Sequence, residues 1–130
     1  MRKEVINPPG IHAATTYYSH AIKCGNTIYC AGQTALDEQG NVVGDDIETQ
    51  ATKVFENIGA VLQAAGASFS DVVNVTTFLL NLERDRKTYM EVRRRFMGEW
   101  YPASIICGVR ELANPKYLLE VACVAVVDDA

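Results

Sequence analysis

Residues 118–127 have the sequence LLEVACVAVV. Successive side chains of a β-strand point to opposite faces of its sheet, and here both faces are apolar except at Glu120. Both faces of this strand therefore need to be covered. A single acidic side chain in such surroundings is costly to bury, so Glu120 needs either a hydrogen-bonding partner or a chemical role.

The other predicted elements come from hydrophobic periodicity and turn residues. One helix, with apolar side chains at steps of three and four, is expected to begin with Asp45 as its N-cap and to end before Gly66. Pro102 forbids continuation of a second helix. Gly25 and Asn26 predict the tight turn of a β-hairpin. The predicted strands are residues 3–6, 17–24, 27–31, 71–80, 103–112 and 118–127, and the second helix is residues 83–99.

The resulting order, βββαβαββ, predicts a single α+β domain over residues 1–130, with a mixed sheet and two helices on one face. Two helices cover only one face of a sheet of this size, so a second copy of the chain is expected to cover the other. We therefore predict a homo-oligomer. Clefts between its subunits are natural ligand sites, because polar strand ends meet apolar walls there.

Composition excludes several classes of function. The chain has 130 residues, 48% of them hydrophobic, which is enough for one domain with its own core. Its net charge of -4 provides no positive field for phosphate backbones, so nucleic acid is not an expected partner. No apolar run is long enough to cross a bilayer, and no secretory signal follows the charged start. We expect no membrane partner and a cytoplasmic location.

Metal and thiol chemistry is not expected either. The spacing of the cysteines includes no C-x-x-C pair, and they are predicted to be reduced and mostly buried. His12 and His20 have no metal-binding spacing, so no metal site is predicted. His12 lies in the long loop expected to border the cleft, where it is either a contact to the substrate or part of the hydrogen-bonded structure. The basic run at residues 93–95, beside several acidic residues, is expected to be a solvated, ion-paired helix face.

Several short motifs, in order and at consistent spacing, resemble the RidA (YjgF) family over nearly the whole chain. The first is Gly25-Asn26-x-Ile28-Tyr29-x-Ala31-Gly32-Gln33, followed by Gln50, Asn57 and the segment Ala64-Ala65-Gly66-Ala67-Ser68. The last is Tyr101-Pro102-Ala103 with Val109, Leu112, Leu119-Glu120-Val121 and Ala125-Val126. The resemblance implies a chorismate-mutase-like fold, a homotrimer with sites between subunits, and hydrolysis of reactive imines or enamines without a cofactor.

The resemblance also assigns roles to individual residues. Glu120 matches the glutamate that positions the attacking water, and Tyr18 matches the tyrosine beside the substrate. Ala31 takes the place of a serine, and Ile106 that of a cysteine. Ser104 replaces the arginine that pairs with the substrate carboxylate. Together with His12, these residues form the predicted site, with Glu120 as the catalytic group and the other five, Tyr18, Ser104, Ala31, Ile106 and His12, as substrate contacts.

The loss of the arginine changes what the site is expected to hold. A hydroxyl in place of a bidentate guanidinium weakens carboxylate binding by roughly 1–3 kcal/mol. Either the substrate lacks that carboxylate or another cation supplies the contact. Arg110 shares a predicted strand face with Ser104, but six residues of strand separate them. Cys107 is one residue away from the cysteine position and is expected on the opposite face of the strand.

Three functions remain open at this point. The first is a hydrolase in which Glu120 activates water against a small imine or enamine that differs from the 2-aminoacrylate-type imino acids. The second is a non-catalytic trimeric scaffold that binds a small molecule, since folds outlive functions. The third is ribonuclease action, which has been attached to some relatives and which the acidic charge balance disfavours.

Overall fold

The computed structural model describes residues 2–128 and has the predicted order of elements. Six strands and two helices follow one another in the order βββαβαββ, so the α+β prediction is confirmed. A single 3-10 turn, Phe69–Asp71, precedes the fourth strand. The elements are β1 (Lys3–Ile6), β2 (Ala21–Cys24), β3 (Thr27–Gln33), α1 (Ile47–Ala64), β4 (Val72–Leu79), α2 (Leu82–Met97), β5 (Ala103–Gly108) and β6 (Leu119–Val126).

The strands form one mixed sheet in the order β1-β2-β3-β6-β4-β5. Strand β6 lies between β3 and β4 and is antiparallel to both, whereas β4 and β5 are parallel. The strand with two apolar faces is thus an interior strand, as its composition requires. Its odd-numbered residues from 119 to 125 are buried under the helices, and Glu120 points to the opposite face.

Both helices pack on the same face of the sheet. Phe55 of α1 stacks on Phe96 of α2 with ring centroids 5.5 Å apart, and it also contacts Tyr89 at 5.9 Å. Asp46 is the N-cap of α1, because its carboxylate accepts a hydrogen bond from the Thr49 amide at 2.8 Å. The prediction of Asp45 as the cap was therefore wrong by one residue. Two adjacent aspartates are equally suited to the role by type, and only the backbone geometry selects between them.

Two predicted strands are shorter than expected. The strand predicted over residues 17–24 begins only at Ala21, because β1 pairs with Ala21–Cys24 alone and Tyr17 has a positive φ of 59°. The strand predicted over residues 103–112 ends at Gly108. Its parallel partner β4 ends opposite that residue, and beyond it no neighbouring strand remains to pair with. Arg110 is therefore not on the strand, and the predicted face shared with Ser104 does not exist.

The face of the sheet away from the helices carries apolar side chains that remain exposed in the structure of residues 2–128. Strand register aligns Val5, Ile22, Tyr29 and Val124 in one row across four strands. Tyr29 is 54% exposed and Ile105 is 60% exposed. We call this surface the open face. None of the helices within residues 2–128 is long and apolar enough to span a membrane. The open face supports the predicted homo-oligomer, since a contiguous apolar surface of this kind is typical of an interface.

We expect Tyr29→Asp to weaken the association of subunits, because a carboxylate in the middle of the open face would have to be desolvated in any interface formed there. The mass in solution, measured by light scattering, should fall towards that of one chain. Gln63→Asp, on the exposed outer side of α1, is the matched control and should leave the mass unchanged. A wild-type protein that is monomeric at micromolar concentration would contradict the prediction.

Candidate functional site

A cleft of about 700 Å³ opens where the loop before β2 meets the end of β3 and the start of β6. We call it the Glu120 cleft. It brings together four of the residues predicted from the sequence, Glu120, Tyr18, Ala31 and His12. Leu36 and Tyr117 also line it. Ala31 and Leu36 provide apolar wall beside the carboxylate and phenol groups, which is the usual composition of a small-molecule site.

A β-bulge in β3 shapes this cleft. The register with β6 shifts between Cys30 and Gln33, so that Ala31 and Gly32 lie opposite a single residue of β6. Bulges of this kind re-aim side chains and are frequent beside active sites. At position 32 a Cβ atom would clash with the Glu120 carboxylate. Glycine at the bulge therefore gives the Glu120 side chain the space it occupies.

The Glu120 carboxylate is half-buried and has no hydrogen-bond donor among residues 2–128. Burial alone raises its pKa above the ordinary value. A carboxylate bonded to backbone amides, the structural alternative, would have its pKa lowered by those bonds. The arrangement is instead that of a proton acceptor facing an open cleft, whose pKa is shifted towards neutral pH.

Two tyrosines lie near this carboxylate. Burial raises the pKa of Tyr18, and the neighbouring Tyr117 and Glu120 raise it further, so the phenol stays protonated at neutral pH. A protonated phenol can donate a hydrogen bond to a ligand or to the carboxylate. Sequence reasoning missed Tyr117. Its position in the turn just before the strand that carries Glu120 was the signal that could have identified it.

His12 lines the cleft, and His20 is buried beside it. His20 is buried, and its Nε2 donates to the His12 carbonyl oxygen at 2.7 Å while its Nδ1 accepts from Gln33 at 2.9 Å. These bonds fix the orientation of the His20 ring, which is a structural role. The His12 ring lies edge-on to the His20 ring at 4.8 Å, and its Nδ1 has no partner among residues 2–128. Burial lowers the pKa of His12, and its electrostatic interactions with His20 and Lys53 lower it further, so the His12 ring is neutral.

Two buried amides of α1 hold the loops around the cleft. The Asn57 side chain donates to the carbonyl oxygens of Thr34 and Leu36, at 3.2 and 2.9 Å. Gln50 donates to the Lys116 carbonyl oxygen at 2.9 Å and accepts from the Leu118 amide at 2.9 Å. Both residues belong to the motifs that carried the family resemblance. They attach the two walls of the cleft to one helix, which explains why polar side chains occupy buried positions there.

Ser104 and Ile106 are not in the Glu120 cleft. Register pairs Glu120 with Phe78 and Phe78 with Cys107, which puts Cys107 on the same face as Glu120. Ser104 and Ile106 lie on the other face, towards α2. They line a second cleft of about 770 Å³, together with Met90, Arg93, Trp100 and Tyr101. We call it the Ser104 cleft. The predicted site residues thus fall into two groups within one chain.

The basic run of α2 is only partly the solvated face that the sequence predicted. Arg94 pairs with Glu99 at 2.7 Å and Arg95 pairs with Glu48 at 2.8 Å, both at the surface, as expected. Arg93 differs, because it is only 6% exposed and its Nη1 donates to the Ser104 hydroxyl at 3.0 Å. The helical spacing was the missed signal, since Arg93 is four residues from the buried Tyr89 and four from the buried Met97. Arg110 is exposed and lines neither cleft.

Within residues 2–128 no group of three histidine, cysteine or acidic side chains is placed to hold a metal ion. Within the same range none of the four cysteines forms a disulfide; Cys30 and Cys123 are buried as predicted, whereas Cys24 and Cys107 are partly exposed.

Known proteins resemble this chain over nearly its whole length. The family described as Endoribonuclease L-PSP matches residues 10–127. A RutC family protein of Pyrococcus abyssi is 42% identical over 127 residues, which are 96% of this chain and 98% of that protein. A Dermatophagoides farinae protein named 2-iminobutanoate/2-iminopropanoate deaminase is 34% identical over 128 residues, 97% of this chain and 98% of its own.

The likeness extends to the fold. The crystal structure of RidA from an Antarctic Psychrobacter bacterium superposes with a TM-score of 0.89 at 34% identity, covering 95% of this chain and 99% of that one. The RidA-like fold predicted from the sequence is therefore confirmed.

We expect Gly32→Ala to displace the Glu120 side chain, because the new Cβ would occupy the space of its carboxylate. Turned out towards solvent, the carboxyl group should lose the effect of burial, and its pKa should fall towards the ordinary 4.5. Carbon-detected NMR titration of the glutamate carboxyl groups measures this, with Glu120→Gln identifying the signal. A folded Gly32→Ala protein whose Glu120 pKa is unchanged would contradict the close packing of these two residues.

Proposed function

The chain belongs to the Endoribonuclease L-PSP family, and we propose that it is a cofactor-independent hydrolase that releases ammonia from a small imine or enamine. The observation that carries this proposal is the Glu120 carboxylate, half-buried beside the β3 bulge with no hydrogen-bond donor among residues 2–128. The name of the deaminase from Dermatophagoides farinae supports the same reaction class.

In the proposed reaction, Glu120 moves protons between water and the substrate nitrogen. Water adds to the imine carbon as the C=N π electrons move to nitrogen, and Glu120 accepts the water proton and passes it to that nitrogen. The resulting carbinolamine then loses its hydroxyl proton to Glu120, which returns that proton to the amine. The C–N bond breaks, ammonia leaves, and a carbonyl product remains. Tyr18, protonated at neutral pH, would orient the substrate or the attacking water.

We further propose that the complete site forms between subunits of a homotrimer. The resemblance to the RidA family implies this assembly, and two features of the single chain support it. The Glu120 cleft and the Ser104 cleft lie on different faces of the sheet, so residues 104 and 120 of one chain cannot act on one small substrate. The open face, with Tyr29 and Ile105 exposed, needs a partner. Apposition of one subunit's Glu120 cleft with its neighbour's Ser104 cleft would bring residues 120 and 104 together in one site.

The proposed substrate differs from the 2-aminoacrylate-type imino acids in how it is held. Position 104 offers a hydroxyl where family deaminases carry a guanidinium, so no cation reaches the substrate from strand β5. A substrate that depends on a bidentate contact at that position would bind weakly. The non-catalytic scaffold remains the second candidate for the same reason, and the activity assay below separates it from the hydrolase.

We expect Glu120→Gln to lower the rate of imine hydrolysis by about 100-fold or more, the usual contribution of a general base. The assay generates an imine in situ from an amino acid with an oxidase and follows its disappearance. Glu38→Gln, a change of the same kind at the exposed rim of the same cleft, is the matched control and should retain wild-type activity. Equal rates for wild type and Glu120→Gln would contradict the proposed role, and an inert wild type would favour the scaffold.

The rate should also depend on pH through the same carboxyl group. Burial raises the pKa of Glu120 above 4.5, and only the ionised form accepts a proton. The value of kcat/KM should therefore rise with pH across the raised pKa, and the step should be absent in Glu120→Gln. A wild-type profile whose acidic limb lies at or below the ordinary value would show that burial does not tune this group.

A further inference from the structure

The guanidinium of Arg93 is a buried cation without a carboxylate partner in the part of the chain that the structure describes. The side chain is 6% exposed, and its Nη1 donates to the neutral Ser104 hydroxyl at 3.0 Å. It also lies close to the Tyr89 phenol, whose pKa burial raises and this positive charge partly lowers again. Among residues 2–128 no aspartate or glutamate forms an ion pair with it, whereas Arg84, Arg94 and Arg95 each have one.

An unpaired buried charge is unusual, because removing an ion from water costs several kcal/mol unless an opposite charge compensates for it. Two neutral hydroxyl groups do not provide that compensation. Arginine has five N–H donors arranged in a plane, and the bond to Ser104 uses one of them. The remaining donors suit a planar oxyanion such as a carboxylate, which accepts two parallel hydrogen bonds.

The surroundings of Arg93 also favour an anion. Arg93 lines the Ser104 cleft, and the charged groups at its rim are mainly cations. Arg86 and Lys87 are exposed there, with Glu91 as the acidic group among the lining residues. The wall beside Arg93 is apolar and aromatic, and the Trp100 indole is fixed by a hydrogen bond to the Val72 carbonyl oxygen at 2.6 Å. Hydrogen bonds from a guanidinium are stronger beside such a wall than in open water.

We propose that Arg93 binds a carboxylate group of the ligand in the Ser104 cleft. The ligand class is a small organic acid, and the inference rests on the proposed function only in identifying that acid as the substrate or product of deamination. Helix α2 then supplies the cation that strand β5 lacks at position 104. Because the guanidinium reaches the cleft from a different element, it holds the carboxylate at a different place from a strand arginine.

The test compares binding of pyruvate with that of pyruvamide, which has nearly the same shape and no charge, by isothermal titration of the full-length protein. Wild type should prefer the acid by about 10-fold or more, the equivalent of one charge-assisted pair of hydrogen bonds. Arg93→Gln should bind both alike, and Arg93→Lys should keep a reduced preference. Lys116→Gln, a change of the same kind at an exposed lysine that lines neither cleft, should retain the wild-type preference.

Two further measurements test the proposal even if the Arg93→Gln variant does not fold. The acid-to-amide preference of wild type requires no substitution, and the Arg93 guanidinium resonance, assigned with Arg93→Lys, should shift with pyruvate and not with pyruvamide. A wild type without that preference, or Arg93→Gln with an undiminished one, would overturn the proposal. Binding of pyruvate is measured apart from imine hydrolysis. Arg93-dependent binding in a protein that hydrolyses no imine would therefore refute the deaminase function and leave this inference standing.

Discussion

The close packing of the Glu120 carboxylate on the backbone of Gly32 is the constraint on which the candidate site depends. It requires an interior strand, β6, to carry one acidic residue, and its neighbour β3 to carry a bulge with no side chain at the point of contact. Each condition is unfavourable by itself, since a buried carboxylate is poorly solvated and a bulge interrupts the ladder of hydrogen bonds. Together they place a proton acceptor of raised pKa at the floor of an open cleft. The loops that complete this cleft are held by the buried amides Gln50 and Asn57.

Much of the fold could be predicted from the sequence, because its strongest signals are properties of whole elements. The periodicity of α1 and the two apolar faces of β6 gave the correct order and fold class. The errors are local. Asp45 and Asp46 are the same residue type, so capping preference could not distinguish them. The strand predicted over residues 17–24 begins late, because pairing depends on where β1 ends rather than on composition. In each case a neighbour in space decided the outcome.

Less of the candidate site than of the fold could be predicted from the sequence. Resemblance assigned Glu120, Tyr18 and Ala31 to the site, and these three residues line one cleft, but it could not show that Ser104 lies on the other face of the sheet. Arg93 was concealed within a run of three arginines that sequence reasoning treated as one solvated face. Helical phase separates them, since only Arg93 shares the buried stripe with Tyr89 and Met97. Position 104 has lost the family arginine, and Arg93 lies eleven residues earlier in the chain, on helix α2. Only the three-dimensional structure shows that these two side chains are in contact.

The bulge also changes which residues of β3 face inward. Before it, even-numbered residues such as Ile28 and Cys30 are buried, and after it the odd-numbered Gln33 is buried. The number of residues between Cys30 and Gln33 is therefore constrained as strictly as their identity. The exposed turn near Gly40 could accommodate an insertion or deletion of one residue. At the bulge the same change would turn the buried side chains of the rest of the strand to the exposed face, and Gln33 could no longer donate its hydrogen bond to His20. Length variation among relatives should accordingly collect in that turn and avoid the bulge.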